Sequence, residues 1–528
     1  MDKQAKKNIL ILSIMAHLII LCSVNGQPGT VSSWAKISGT QGGLNGVVSP
    51  YGYFGRTIAN IGDINNDGVV DLAVGSRNAD SNKGIVTILF MNENGTVTST
   101  IEISENVGGL NGVFPYSMSF FGSSISGIGD LNGDGIEDIV IGNRDGGINS
   151  GGEIYILFLN ETGTVNSYNR LAEGSGFSGN LQQYDGFGSA VASIGDINND
   201  GISDIAVGAP GNDGGITNSS IGAIWVLMLN NDGGIASQQK ISQVDGNFTG
   251  TLEQQGAFGS SIAGIGDLNM DGIEDLVVGA PLDGEGGGDD GAVWILLMDS
   301  DGTVSNQQKI NELHGGFTDT LNITAYFGNA VTSVGDINGD GISEIAVGAY
   351  NQDDGGSGKG AIWMLFMDTN ATVSSIQRIS ETSGSFNASL DEEDHFGTSL
   401  TSIGDFNNDN IYDIAVGSFY DDDGFNNAGA VYLLYLNGDD VAGGQMLTQS
   451  GFSIYPNPAE QTVNLIFTKE SGSAGEITIT DLAGRRVISK YFPSLTNQQL
   501  DVSKLVSGIY QLTIIGKSEH YIQKLITN

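Results

Sequence analysis

Short, unbroken apolar runs recur along most of the chain. The segments AVWILLM (Ala292–Met298) and AIWMLFM (Ala361–Met367) follow a glycine and show no alternation of polar and apolar residues. They are too short for a helix that is buried on two faces, and they are typical of strands in a sheet that is covered on both sides. Asn, Asp and Gly turns connect them to segments of the type TVxSxxKIS. The pattern predicts an all-β chain.

Residues 27–437 consist of repeats of this pattern. The pair Phe-Gly recurs at intervals of 66 to 71 residues, and an aspartate follows each Phe nine residues later. The six phenylalanines are Phe54, Phe121, Phe187, Phe258, Phe327 and Phe396. Each repeat predicts four strands, and four-stranded sheets that pack face to face around an axis form a β-propeller.

The order of the segments predicts how the ring closes. Segments of the fourth-strand type occur at 30–38, 96–104, 164–172, 234–242, 303–311 and 372–380. The first of them precedes every Phe-Gly pair, whereas the last repeat has none after its third strand. Residues 30–38 are therefore predicted to form the outer strand of the sixth blade, which removes the open sheet edge. We expect a six-bladed β-propeller closed by an N-terminal strand, because a seventh blade finds no residues to build it.

Each repeat also contains a nine-residue loop of the form D-x-N-x-D-G-x-x-D. Side-chain oxygens at positions 1, 3, 5 and 9 and the backbone carbonyl at position 7 suit calcium, and glycine at position 6 permits the sharp turn. Asp, Asn and Gly also form ordinary turns, but six copies favour calcium. The predicted ligands are Asp63, Asn65, Asp67, Val69 and Asp71; Asp130, Asn132, Asp134, Ile136 and Asp138; Asp196, Asn198, Asp200, Ile202 and Asp204; Asp267, Asn269, Asp271, Ile273 and Asp275; Asp336, Asn338, Asp340, Ile342 and Glu344; and Asp405, Asn407, Asp409, Ile411 and Asp413.

Two of the loops depart from the pattern. Glu344 replaces the last aspartate of the fifth loop, and Asn410 replaces the glycine of the sixth. Asn enters the left-handed backbone region more readily than most residues, so that the turn is retained. We expect these two loops to bind calcium more weakly than the other four.

Charge and composition divide the chain and exclude several functions. The 528 residues carry a formal net charge of −41, which excludes a nucleic-acid binder with a basic surface and disfavours polyanionic partners. Residues 27–450 hold 10 basic and 54 acidic residues, and this asymmetry predicts a linker at 438–450 before a separate domain at 451–528. One cysteine and four histidines exclude a disulfide scaffold and a Cys/His zinc site, so that a bound metal would have oxygen ligands.

The N-terminus predicts export. Residues 1–26 have the form of a signal peptide, because Lys3, Lys6 and Lys7 precede an apolar run at 9–21 and small residues lie before Gln27. No later segment approaches the roughly 18 apolar residues that a membrane-spanning helix needs. We therefore expect a protein that leaves the cytoplasm and has no membrane span.

The repeats resemble a known family. The Phe-Gly pairs, the D-x-N-x-D-G-x-x-D loops and Gly-Ala-Pro at 208–210 and 279–281 are similar to FG-GAP repeats, the blades of the integrin α-subunit propeller. The resemblance covers residues 27–437. It implies up to six calcium ions on the face opposite the ligand. Integrin propellers have seven blades and this chain has six repeats, so that no ligand-contact position is transferred.

The last 78 residues resemble a second family. Residues 451–528 contain short alternating segments between Pro, Gly and Asp turns, which predict a small β-sandwich. Tyr-Pro-Asn-Pro at 455–458, Asp-Leu-Ala-Gly at 481–484 and Gly-Ile-Tyr at 508–510 are similar to the type A sorting domain of the type IX secretion system of Bacteroidota. The resemblance implies that these residues bind the secretion machinery and that the protein is released or attached to the cell surface. An accessory immunoglobulin-like module is the alternative.

The sequence favours a binding protein over an enzyme. It contains no G-x-S-x-G and no P-loop, and His314, His395 and His520 lack a partner at metal-site spacing. We predict a secreted or surface-attached adhesion or ligand-binding module for a glycan or an extracellular protein. A secreted hydrolase or lyase that acts on polysaccharide through paired carboxylates is the alternative.

The predicted ligand surface lies opposite the calcium loops, where two further sets of connections meet. These connections carry acids and aromatic residues, which suit sugars or cationic protein patches, although each could also be a solvated turn or a ring that fills the core. The acids are Asp213, Asp283, Glu285, Asp289, Asp290, Asp353, Asp354, Asp421, Asp422 and Asp423; the aromatic residues are Tyr51, Tyr53, Phe114, Tyr116, Tyr184, Phe248, Phe317, Tyr326 and Phe386.

Overall fold

A computed structural model describes most of the chain in two compact units that divide after residue 438. The described residues are 26–44, 48–110, 120–215, 219–285 and 287–438, followed by 452–455, 462–467, 475–481, 486–492, 498–505, 508–516 and 520–527. The predicted signal peptide and linker lie outside the described residues, apart from Gly26 and Gly438.

The first unit is a ring of six antiparallel sheets. Strands are given from the inner strand outward: the first blade contains β2–β5 (Phe54–Asn60, Leu72–Ser76, Ile85–Met91, Val97–Ile103), and the second contains β6–β9 (Phe121–Gly129, Asp138–Asn143, Glu153–Leu159, Val165–Glu173). The third blade contains β11–β14 (Ala190–Ser193, Ile205–Ala209, Ala223–Leu229, Ile235–Ile241), and the fourth contains β15–β18 (Ser261–Gly264, Leu276–Ala280, Ala292–Met298, Val304–Ile310). The fifth blade contains β19–β22 (Ala330–Gly335, Glu344–Ala349, Ala361–Met367, Val373–Ile379). The fold is the predicted β-propeller.

The sixth blade confirms the predicted closure. Its inner three strands are β23 (Phe396–Gly404), β24 (Asp413–Ser418) and β25 (Ala430–Leu436), and its outer strand is β1 (Val31–Ile37). β1 runs antiparallel to β25. The N-terminal strand therefore covers the edge that the last repeat would otherwise leave unpaired.

Each blade contacts the next through the phenylalanine of the Phe-Gly pair. At the closing junction, the backbone N–H of Phe54 donates to the carbonyl of Ala428 at 2.9 Å. Gly429 has a φ of +89°, and a Cβ at this position would lie 2.0 Å from the carbonyl oxygen of Phe54. Glycine before the third strand is thus required both by the left-handed backbone and by the close approach of the neighbouring blade.

The core lies between adjacent blades, which explains the unbroken apolar runs. Trp225 and Leu227 of β13 pack into the cluster shared with the second blade, whereas Val226 and Met228 pack into the cluster shared with the fourth. Because successive side chains of a strand point to opposite faces and both faces are covered, every residue of β13 is buried.

Three short elements interrupt the regular pattern of the ring. β10 (Gly176–Phe177) adds a fifth strand to the second blade and runs parallel to β9. A helical turn, α1 (Ala79–Asn82), and a 3₁₀ turn at Ile148–Ser150 lie between the second and third strands of the first two blades. The sequence predicted four strands in the second blade, and it missed β10 because two residues carry no periodicity.

The second unit contains two antiparallel sheets. Strands β26 (Phe452–Tyr455), β27 (Thr462–Phe467) and β30 (Gln498–Asp501) form one sheet, and β28 (Gly475–Asp481), β29 (Arg486–Phe492), β31 (Gly508–Gly516) and β32 (His520–Thr527) form the other. Val463 and Leu465 of the first sheet share one buried cluster with Ile477 and Leu512 of the second. Across both units, no helix within the described residues has the length and apolarity needed to cross a membrane.

Candidate functional site

The nine-residue loops connect the first and second strands of every blade, and all six lie at the same end of the ring. In the third loop, the carboxylate of Asp196 accepts the backbone N–H of Asp200 at 2.9 Å and that of Gly201 at 2.7 Å. Asn198 Oδ1 accepts the N–H of Asp200 at 2.8 Å. Asp200 Oδ1 in turn accepts the N–H of Ile202 at 2.9 Å, so that local hydrogen bonds hold the side chains of positions 1, 3 and 5 in one turn.

The sharp turn depends on the residue at position 6, as expected. Gly201 has a φ of +89°, and Asn410 of the sixth loop adopts +71°. A Cβ at Gly201 would meet no atom within 4 Å. Glycine is therefore favoured here by its backbone conformation and not by lack of space.

The last aspartate of the loop has a second partner that the sequence did not indicate. Asp204 is buried, and its Oδ1 accepts the backbone N–H of Leu229 at 2.9 Å, at the end of the third strand. Equivalent bonds join Asp71 to Met91, Asp138 to Leu159, Asp275 to Met298 and Asp413 to Leu436. In these five loops, the ninth carboxylate anchors the loop to its own blade.

The fifth loop brings its carboxylates closest together. Glu344 Oε2 accepts the N–H of Ile337 at 2.8 Å, and Oε1 accepts Asn338 Nδ2 at 3.0 Å. Carboxylate oxygens of Asp336, Asp340 and Glu344 lie within 4.8 Å of one another, the one such group of three in the described part of the chain. The longer side chain of Glu344 extends its carboxylate to the loop, and the weaker calcium binding expected there stays a prediction.

Burial raises the pKa of the ninth acid in every loop. The pKa is about 6 for Asp71, about 7 for Asp138 and about 8 for Glu344, and repulsion from other carboxylates of the same loop adds to the effect of burial. A divalent cation among these oxygens would favour the ionised forms. The donor set, which consists of carboxylate, amide and carbonyl oxygens, fits calcium.

Position 4 of the loops provides a test of backbone strain. Met270 of the fourth loop has a φ of +64° and an exposed side chain, whereas the other loops carry Asn or Gly here. A left-handed conformation costs an ordinary residue roughly 1–2 kcal/mol, and Asn tolerates it better. We expect Met270→Asn to raise the free energy of unfolding by about 1 kcal/mol, measured by urea denaturation. The matched reverse change, Asn199→Met in the third loop, should lower the free energy of unfolding by a similar amount. Equal free energies of unfolding for the two variants would contradict this explanation by backbone strain.

The opposite end of the ring collects the connections between second and third strands and between successive blades. Several acids predicted as ligand contacts are buried here in ion pairs. Asp421 lies 2.7 Å from Lys36 Nζ, and Asp283 lies 2.9 Å from Lys309 Nζ. Asp290 is also buried. The exposed acids are Asp289, Asp353 and Asp422, together with Glu285, which pairs with Lys309.

The aromatic residues predicted at this end are likewise partly buried and partly exposed. Phe248, Phe317 and Phe386 are buried and pack against the Trp or Tyr of a third strand, so that they belong to the core. Tyr51 and Tyr184 are 55% and 67% exposed. Phe114 and Tyr116 lie outside the described residues. The surface open to a partner is therefore smaller than the sequence suggested.

A cavity of about 370 Å³ opens at the axis of this end, lined by the first strands of all six blades. Arg56, Arg77, Arg144 and Tyr350 contribute to its wall. Sequence reasoning missed these residues. The sequence did contain a signal, because each of these residues replaces the Ser of Phe-Gly-Ser or the Pro of Gly-Ala-Pro in its repeat.

The fold and the loops together define a class of protein, a β-propeller built from FG-GAP repeats. The FG-GAP repeat family matches residues 54–89, 121–157, 187–227, 258–296 and 327–365. The secretion system C-terminal sorting domain family matches residues 453–528. The chain thus contains FG-GAP repeats and a sorting domain of the type IX secretion system, which implies export and a secreted or surface-attached location.

Integrin α subunits are among the curated proteins with similar sequences. Integrin alpha-5 of Xenopus laevis is 32% identical over 238 residues, which cover 45% of this chain and 20% of that protein. Integrin alpha-8 of Gallus gallus is 30% identical over 254 residues, 48% of this chain and 22% of that protein. Integrin alpha-2 of Mus musculus is 44% identical over 89 residues. The chain spans about a fifth of the length of the two longer matches, and it is an integrin-like propeller module.

Proposed function

We propose that this chain is a calcium-binding adhesion or ligand-binding module of the cell surface or the secreted fraction, with a glycan or an extracellular protein as partner. Calcium binds in the six nine-residue loops, with the oxygens of positions 1, 3, 5, 7 and 9 as ligands. The partner binds at the opposite end of the ring. Residues 451–528 direct export and take no part in binding the partner.

The observation that carries this proposal is the difference between the two ends of the ring. At one end lie six nearly identical loops, and in the fifth of them carboxylate oxygens of Asp336, Asp340 and Glu344 lie within 4.8 Å of one another. At the other end, the blades differ in residue type around a cavity, and the loops expose side chains such as Tyr184. Binding residues commonly lie on variable loops that a rigid scaffold positions.

The acids of the variable end support binding rather than hydrolysis. Hydrolysis by paired carboxylates needs two acids that flank the substrate, one as proton donor and one as base or nucleophile. Here Asp421 and Asp283 are paired with Lys36 and Lys309, and Asp354 accepts the Ser380 hydroxyl at 2.5 Å. These contacts give Asp421, Asp283 and Asp354 a structural role in the loops, which supports binding over hydrolysis by a pair formed from them.

A binding screen tests the proposal. We expect the full-length chain, in millimolar calcium, to retain a specific glycan or extracellular protein from arrays of both. Tyr184→Asn should weaken the interaction at least tenfold, because this exposed side chain lies at the variable end. The matched control is Tyr412→Asn, which removes a 49% exposed tyrosine from the sixth calcium loop at the other end.

Two results would contradict the proposal. Loss of binding in the Tyr412 variant alone would place the partner at the calcium end. Turnover of a polysaccharide by the purified chain, abolished by one carboxylate substitution, would favour the hydrolase or lyase instead.

A further inference from the structure

The axial cavity is built from two positions that recur in every blade. The first is the residue after Phe-Gly, which is Ser in three blades, Asn in one and Thr in one, and Arg56 in the first blade. The second is the third residue of the Gly-Ala-Pro motif, which becomes Arg77, Arg144 and Tyr350 in the first, second and fifth blades. The departures from the repeat pattern therefore meet at one place.

The charge in this cavity is opposite to that of the rest of the propeller. Residues 27–450 hold 54 acidic and 10 basic residues, and three of these ten line the cavity. Five arginines occur at 27–450, and three of them, Arg56, Arg77 and Arg144, line the cavity. Because the whole-chain average is strongly negative, the positive cavity cannot be inferred from net charge.

Two of the three arginines have no carboxylate partner among the described residues. Arg56 Nη1 donates to Thr398 Oγ1 at 3.0 Å, and its guanidinium carbon lies 5.1 Å from the centre of the Phe419 ring. Arg77 Nε donates to Asn78 Oδ1 at 3.4 Å, and its guanidinium lies 5.1 Å from the Phe120 ring. Aromatic faces and neutral oxygens thus hold both side chains in place. Asp145 attracts Arg77 without forming an ion pair with it.

Arg144 forms an ion pair, but its positive charge lies in the same cavity as those of Arg56 and Arg77. Its Nε lies 3.2 Å from Asp145 Oδ1. Burial, followed by repulsion from Arg56 and Arg144, lowers the pKa of Arg77 to about 10. The guanidinium group of arginine is a cation in proteins at neutral pH. Three cations and one carboxylate leave an excess of positive charge in a partly desolvated cavity, and such an excess is unfavourable unless an anion compensates it.

We propose that the axial cavity binds the oxyanion of an acidic sugar, a carboxylate or a sulfate ester, through Arg56 and Arg77. Guanidinium groups present two parallel N–H donors, which match the two oxygens of a carboxylate or sulfate. The inference rests on the proposed function, since it specifies the chemistry of the partner at the variable end.

Other features of the cavity favour a sugar over an acidic peptide. Serine hydroxyls around the axis donate to backbone carbonyls, as Ser124 does to Gly188 at 2.9 Å and Ser261 to Gly328 at 2.7 Å, so that their oxygens remain as acceptors for sugar hydroxyls. Tyr326 and Tyr350 stack with ring centres 5.2 Å apart at the wall, and aromatic rings provide apolar faces for a sugar ring. Pockets for small ligands typically measure about 300–1,000 Å³. A cavity of about 370 Å³ suits one sugar unit and its charged group.

Calorimetric titration of the full-length chain in saturating calcium tests this inference. The probes are glucuronic acid and glucose 6-sulfate, with glucose as the neutral reference. We expect both charged sugars to bind at least tenfold more tightly than glucose, with an affinity that falls as the salt concentration rises. The double variant Arg56→Gln/Arg77→Gln should lose at least tenfold in affinity for the charged sugars and none for glucose.

A matched control separates the site from the overall charge. Lys240→Gln removes a positive charge from the outer strand β14, far from the axis, and it should leave the affinity unchanged. The double arginine variant should melt at or above the temperature of the wild type, because it removes mutual repulsion. A folded variant without binding therefore assigns the loss to the site.

Three outcomes would overturn the inference: equal affinity for glucose and the charged sugars, unchanged affinity in the double variant, or arginine-dependent binding of an acidic peptide without binding of either charged sugar. Failure of the broader function is distinguishable. If the arrays retain a partner whose binding ignores Arg56 and Arg77, the module still binds a ligand and the anion site is refuted. If the arrays retain nothing while glucuronic acid binds through these arginines, the adhesion function is refuted and the site stands.

Discussion

Removal of residues 30–38 is expected to unfold the propeller or to make it aggregate. This segment contains β1, whose Val31 and Ile37 are buried against the sixth blade. Burial of one such side chain contributes roughly 1.5–3 kcal/mol. The deletion also removes Lys36, which lies 2.7 Å from both Asp421 and Asp423. A buried charge that loses its partner destabilises by roughly 3–5 kcal/mol, so that the total approaches the stability of a whole domain.

Thermal melting and gel filtration measure the effect on chains that begin at residue 27, with and without residues 30–38. A graded control is Lys36→Met, which keeps the strand and its pairing with β25 and removes the charge that contacts Asp421, Asp423 and the Tyr432 ring. We expect this variant to melt below the wild type and to remain monomeric. A deletion that melts within a degree of the intact chain and stays monomeric would show that β1 does not close the ring.

Chelation of calcium is expected to lower the melting temperature strongly. Extracellular calcium modules bind with dissociation constants of roughly 10⁻⁴–10⁻³ M. At about ten times the dissociation constant, each site stabilises the folded state by about 1.4 kcal/mol, and six independent sites by about 8 kcal/mol. The excess of 54 acidic over 10 basic residues at 27–450 adds to the effect, since calcium reduces mutual repulsion.

Single-loop variants test which residues hold the ion. Asp200→Ala removes position 5 of the third loop and should abolish one site, so that calcium titration counts five ions and the chelator-sensitive shift becomes smaller by about a sixth. Asp340→Ala should do the same in the fifth loop, where the three carboxylates lie closest. The matched control is Asp232→Ala, which changes an exposed acid in the turn before β14, outside the nine-residue loops. An unchanged melting curve in excess chelator would refute the loops as metal sites.

The repeat pattern was sufficient to predict the fold. Because each blade must cover the apolar faces of its neighbours, the third strands carry seven apolar residues without alternation, and this signal is local. The position of residues 30–38 before the first Phe-Gly pair was enough to predict that β1 completes the sixth blade, as the structure confirms. The two-residue strand β10 was missed, since it depends on contacts with β9 and not on a pattern of its own.

The candidate sites were predicted less completely. Spacing alone placed the oxygens of positions 1, 3 and 5 in one turn, since they are separated by two residues and fixed by local hydrogen bonds. The second role of Asp204, which accepts the N–H of Leu229, involves a residue 25 positions away. The ion pair between Asp421 and Lys36 joins residues that lie still further apart in the sequence. Because of this pair, Asp421 is a structural residue, although the sequence predicted it as a ligand contact.

The sequence by itself determined the number of blades, the strand that closes them, the six loops and the sorting domain, because each of these depends on short-range periodicity or on a contiguous motif. Only the tertiary structure decided which acids are buried and where the exceptional residues of the repeats meet. Arg56, Arg77 and Arg144 come from two blades, and Tyr350 comes from a third. Closure of the ring brings these residues to one axis. The sequence of a single repeat does not show which side chains of the other repeats lie at that axis, and so it does not predict the positive charge of the cavity.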